Sequence, residues 1–101
     1  MVKKPRPVVW NKRASVYFRN SYDRIREKSY SNAEKVREGI TKIIDGLPNN
    51  PEKYPPDKFK KDNPGNYRVF EKYPYRIAYT HTPTEIRILR IRHVRQEPKE
   101  Y

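Results

Sequence analysis

Tyr67-Arg-Val-Phe-Glu-Lys-Tyr-Pro-Tyr-Arg-Ile-Ala-Tyr-Thr-His-Thr-Pro-Thr-Glu-Ile-Arg-Ile-Leu-Arg-Ile-Arg-His93 is the stretch on which the fold turns. Its apolar and aromatic residues alternate with charged ones at period two, the signature of half-buried strands. Two short connectors, Tyr73-Pro74 and His81-Thr-Pro-Thr84, divide it into strands over 67–72, 75–80 and 85–93. Connectors this short pair successive strands antiparallel, as a meander. One irregularity stands out. Strict alternation puts Ile86 and Ile88 on one face of the last strand and Leu89 and Ile91 on the other. Either a bulge or burial on both faces would account for it.

The pattern changes on the N-terminal side of the meander. Leu47 to Gly65 carries Pro48, Pro51, Pro55, Pro56 and Pro64 among Asn, Asp and Lys, and reads as a long loop. A loop of this length is often functional. The favoured reading here is the plainer one, an exposed crossing whose entropy the prolines limit. Before it, Ala33, Val36, Ile40, Ile43, Ile44 and Leu47 recur at helical spacing, with Ser31-Asn-Ala-Glu34 as a capping box and Gly46 with Pro48 as the stop. Ala14, Phe18, Tyr22 and Ile25 mark an earlier amphipathic helix. Val8-Val9-Trp10 is β-prone and short enough for an edge strand. The order strand, helix, helix, strand, strand, strand predicts an α+β fold, one helical hairpin laid on one sheet. The chain of 101 residues is expected to be a single domain, with residues 1–6 a flexible tail.

Composition narrows the function. There are 24 Lys and Arg against 12 Asp and Glu, a formal charge of +12. The excess is concentrated at the two ends, with a balanced middle. Such a charge points to a polyanion or an acidic protein partner, the alternative being solubility alone. Hydrophobic residues make up 34% of the chain, below the usual figure of about 45–50%. Nine Tyr, three Phe and one Trp must therefore fill much of the core. With no cysteine, disulfides, thiol nucleophiles and the usual zinc sites are excluded. With only His81 and His93, no metal or other cofactor is expected. No apolar run approaches the ~18 residues that cross a bilayer, and no signal-type stretch follows the basic start, so a cytoplasmic protein without membrane association is expected.

The helical hairpin followed by Leu47-Pro48 and Asn50-Pro51, then Tyr67-Arg-Val-Phe70, Tyr75-Arg-Ile-Ala-Tyr79 and Ile88-Leu-Arg-Ile-Arg-His-Val-Arg95 with Pro98, resembles the RelE/ParE toxin superfamily of bacterial type II toxin–antitoxin systems. The likeness runs from about Val8 to the end. It implies a toxin, an antitoxin partner, and one of two targets. One branch cleaves mRNA in the ribosome; the ParE branch inhibits DNA gyrase by binding, without chemistry of its own. The first is the leading expectation, as a metal-independent endoribonuclease held on rRNA and mRNA. The gyrase inhibitor is the alternative.

Matched to the nuclease branch, Arg68 falls where a strand-borne lysine lies, while Phe70 replaces a second lysine and removes its charge. Arg76 matches the arginine of the central strand, and Arg95 the arginine after the last one. Tyr101 has the spacing of a following tyrosine, and His93 lies near a terminal histidine of a related branch. RNA cleavage without metal needs a proton taken from the 2′-oxygen, charge stabilised on the phosphate, and a proton given to the leaving oxygen. Arg68, Arg76 and Arg95 suit the phosphate, since guanidinium stays charged and forks onto its oxygens. His93 is the first choice for proton transfer, and Tyr101 would need neighbouring cations to lower its pKa. Arg87, Arg90 and Arg92 are candidate RNA-binding residues on the last strand. Each has an ordinary role too: a sheet arginine packs its stem on aromatics and pairs with a carboxylate, and Tyr67, Tyr75 and Tyr79 are foremost core fillers. The functional reading requires these cations to converge on one cleft.

Overall fold

Alternating side chains make the meander a sheet with two chemically different faces, and the helices cover the apolar one. The computed structural model describes residues 6–96 and 99–101. In chain order it runs β1 (Val8–Trp10), α1 (Lys12–Lys28), α2 (Tyr30–Gly46), β2 (Tyr67–Lys72), β3 (Tyr75–His81) and β4 (Ile86–His93). The sheet order is β1-β4-β3-β2, with β1 parallel to β4 and the other pairs antiparallel. This is the α+β arrangement expected from the sequence. Of the tail expected at 1–6, residues 1–5 lie outside the described residues. Arg6 is tied down, its guanidinium donating to the carbonyls of Thr82 (3.1 Å) and Pro48 (3.3 Å).

The irregularity of β4 is a bulge. Ala78 pairs with Arg90 but Tyr79 pairs with Ile88, so Leu89 is the extra residue. The insertion returns Ile91 to the face of Ile86 and Ile88 and sends Arg90 and Arg92 to the other, where Arg87 already lies. On the helix side the core joins Ile40, Ile44 and Leu47 to Phe70, Tyr75, Ile77, Tyr79, Ile86, Ile88 and Ile91, all buried. Trp10 stacks on Phe18 with ring centroids 5.5 Å apart, fixing α1 over β1. Tyr75 and Tyr79 are core fillers, and the Tyr79 hydroxyl donates to the Pro51 carbonyl at 2.6 Å.

Two expectations are corrected. The cap of α2 is Ser29, whose Oγ accepts from the Asn32 N–H at 3.2 Å; Ser31 already lies within the helix. The capping box at Ser31 and Glu34 fails because Glu34 is occupied elsewhere, accepting from Tyr22 and from Arg37 (2.8 Å). The proline-rich segment is also more than an exposed crossing. Asp57 N–H donates to the Tyr67 carbonyl at 2.8 Å and Val69 N–H to the Pro55 carbonyl at 3.1 Å, so residues 55–57 cover the free edge of β2. Pro55 and Pro56 sit where no donor is required of them. Tyr54 packs on Phe70 with ring centroids 5.4 Å apart, binding the loop to the core.

Replacing Ser29 by Ala should cost about 1 kcal/mol in denaturant unfolding, the usual value of an N-cap. Ser31→Ala, an exposed position inside α2, should stay within about 0.5 kcal/mol of the parent. Equal effects would refute this cap assignment.

Candidate functional site

The face of the sheet turned away from the helices carries the charge. Alternation along β3 turns Arg76 and the buried Ala78 to that face, and the β4 register sets Arg92 opposite Arg76 and Arg90 opposite Ala78. Lys58 and Phe59 from the proline-rich loop form a further wall, enclosing a cavity of about 180 Å³. Arg76 lies over the Phe59 ring, its guanidinium carbon 4.9 Å from the centroid.

Asp57 organises this cavity from below. It is 1% exposed, and its Oδ1 accepts from Arg76 Nη2 at 2.9 Å and from the Phe59 N–H at 3.0 Å. Its Oδ2 accepts from the Tyr101 hydroxyl at 2.8 Å. Arg76 also reaches Glu71 at 3.4 Å. Tyr101 is held by its main chain as well: its N–H donates to the Phe59 carbonyl (2.9 Å), and its oxygen accepts from the Lys61 N–H (3.0 Å) and Lys60 Nζ (3.1 Å). The Arg90 guanidinium lies over the Tyr101 ring at 4.2 Å, and Tyr67 meets the same ring edge-on.

This packing reverses one expectation. Tyr101 was expected to need cations to lower its pKa. Burial and then the hydrogen bond to Asp57 raise it instead, outweighing the opposing pull of Arg90. The phenol is a fixed neutral donor. Arg90 is shifted the other way, its pKa lowered chiefly by burial.

The remaining candidates stand apart. Arg68 pairs with Tyr79 on the helix-facing side, where it donates to the carbonyls of Gly65 (2.9 Å), Tyr54 (2.9 Å) and Glu52 (3.4 Å). It clamps the proline-rich loop rather than joining Arg76. Arg87 shares the outer face but lies toward β1, bound to Glu85 (2.8 Å) and Asn11 (3.1 Å). His93 pairs with Tyr75, and their rings meet edge-on at 5.7 Å. Its Nδ1 accepts the Arg95 N–H at 3.1 Å. Arg95 is exposed and lines a wider groove of about 740 Å³, shared with Tyr17 and Arg24 of α1. Convergence is thus partial: Arg76, Arg90, Arg92 and Tyr101 meet, while Arg68, Arg87 and Arg95 do not. His93 borders both the cavity and the groove.

Sequence reasoning missed Asp57. One aspartate in a loop of prolines, lysines and asparagines reads as a solvated turn residue, and no local signal marks it as buried. Its partners come from strand and C-terminal positions 19 and 44 residues away.

A two-helix hairpin on a four-stranded sheet whose other face is basic is the architecture expected of a RelE/ParE-type toxin. A family model described as the ParE toxin of the type II toxin–antitoxin system parDE matches residues 8–98, and the chain belongs to this family of type II toxins. It is also similar in fold to a solved chain of the chromosomal ParDE toxin–antitoxin system from P. aeruginosa. The two are 20% identical, with a TM-score of 0.66 over 88% of this chain and 96% of that one. No curated protein matches it. Among the described residues, no helix is long and apolar enough to cross a membrane.

Removing the Asp57 carboxylate leaves Arg76, whose side chain is 18% exposed, with only the longer contact to the exposed Glu71. Asp57→Ala should therefore destabilise the fold by about 3–5 kcal/mol in denaturant titration, the range for breaking a buried pair. Alkaline pH gives a second measurement. Burial pushes Tyr79 up to about 12, against about 10 in the unfolded chain. The raised value means that its stabilising contribution is complete below pH ~10 and is lost as pH rises through about 12. Tyr79→Phe should flatten that part of the stability–pH curve.

Proposed function

We propose that the chain acts as a toxin by binding its target rather than by cutting RNA, and that the target is DNA gyrase, as the ParE resemblance implies. The observation that carries this reading is the Asp57 clamp. Metal-independent RNA cleavage asks for an available proton acceptor, a proton donor and an uncompensated cation around one phosphate. Arg76, the best match to a nuclease arginine, is neutralised by a carboxylate out of contact with water. The Tyr101 hydroxyl is spent on the same carboxylate. Arg68 serves three backbone carbonyls on the far side of the sheet, and His93 Nδ1 is already an acceptor. A rigid basic surface suits binding, where charges need only match a partner.

An antitoxin is the second partner we propose, in keeping with the ParDE system to which the P. aeruginosa chain belongs. A net charge of +12 favours an acidic segment. The proposed place of action is the cytoplasm.

Two reactions test the target. Purified protein is added to gyrase with relaxed plasmid, and separately to translating ribosomes with a defined message. Supercoiling should stop in the first while the message stays intact in the second. Cleavage of the message, abolished by Arg76→Ala, would establish the ribosome-dependent nuclease instead.

A further inference from the structure

Arg76 and Arg92 are direct cross-strand partners, with Arg90 on the same face beside them. Like charges directly opposed on a sheet destabilise it. The surrounding acids relieve this only in part, because Asp57 and Glu71 both pair with Arg76. Arg90 has a ring and the Lys99 carbonyl as neighbours, with no carboxylate bonded to it among the described residues. Arg92 Nε is buried and has no hydrogen-bond partner there. Lys58 Nζ completes the cationic lining, 5.3 Å from the Phe59 centroid.

We propose that the cavity between Arg76, Arg90, Arg92 and Lys58 is a binding site for one phosphate group. The donors come from β3, β4 and the proline-rich loop, hence from different directions. A tetrahedral oxyanion can accept from all of them, whereas a planar carboxylate matches one guanidinium fork at a time. Arg92 is the central cation of the site, because it lines the cavity directly across from Arg76 and no carboxylate is bonded to it among the described residues. Arg76, held and compensated by Asp57, shapes one wall of the cavity. Assigning the phosphate to a DNA backbone rests on the gyrase reading above; the phosphate site itself does not.

The 101-residue chain is titrated with inorganic phosphate at constant ionic strength, with chloride and acetate as controls, and its melting temperature is followed. Phosphate should raise it, and Arg92→Gln should abolish the rise. The melting temperature of Arg92→Gln without phosphate should be unchanged or higher, since an opposed charge has been removed. Arg19→Gln, a charge removal on the exposed side of α1, should keep the full response. Equal shifts with chloride or acetate, or a response that survives Arg92→Gln, would overturn the site. Should Arg92→Gln fail to fold, the guanidinium N–H resonances of Arg90 and Arg92 in the parent give the answer: they must move with phosphate, and static signals reject the proposal.

A short DNA duplex distinguishes the source. If the phosphate is a backbone phosphate, Arg92→Gln weakens duplex binding and lowers its salt slope by about one. If duplex binding is unaffected while the phosphate response holds, the site takes a free phosphate or a small phosphate ester. Gyrase arrest without a phosphate response defeats this inference alone; a phosphate response without gyrase arrest defeats only the gyrase reading.

Discussion

The Asp57 carboxylate accepts from the Arg76 guanidinium, the Tyr101 hydroxyl and the Phe59 amide while almost entirely out of contact with water. A buried carboxylate is stable only when its oxygens are met by donors. Here the donors come from the central strand, the C-terminal residue and the loop itself. One carboxylate thereby ties the loop and Tyr101 to the central strand of the sheet. The loop in turn covers the free edge of β2, so the same contact protects the sheet from pairing with another chain.

The two faces of the sheet follow from a single inserted residue. Without Leu89 as a bulge, Ile91 would point away from the helices and Arg90 and Arg92 toward them. With it, three isoleucines enter the core and three arginines share the opposite surface. Packing and charge separation are thus satisfied together, and the concentration of cations on the outer face is a consequence of burying the apolar residues.

This arrangement explains how one fold serves different toxins. Membership of the ParE family goes with the architecture, while the side chains on the outer face differ in whether they are paired. In this chain the central-strand arginine is locked into structure, and Arg90, Arg92 and Lys58 remain as basic groups around the cavity without a carboxylate bonded to them among the described residues. The proposed phosphate site and the proposed action by binding are therefore compatible uses of the same cleft.

Periodicity exposed the three strands and both helices, because burying one face of each element imposes a spacing that neighbouring residues reveal, and β propensity marked the first edge strand. Periodicity also flagged β4 as irregular, since Ile88, Leu89 and Ile91 obey no single alternation. It did not separate a bulge from two-sided burial, for that depends on how Ala78 and Tyr79 pair across the sheet. The candidate arginines were legible as a group but not as a site. Side-chain alternation divides Arg68 from Arg76, and distant contacts assign one to backbone carbonyls and the other to Asp57. Nothing local distinguishes a buried loop aspartate from a solvated one; its burial is decided by partners that folding brings from far along the chain.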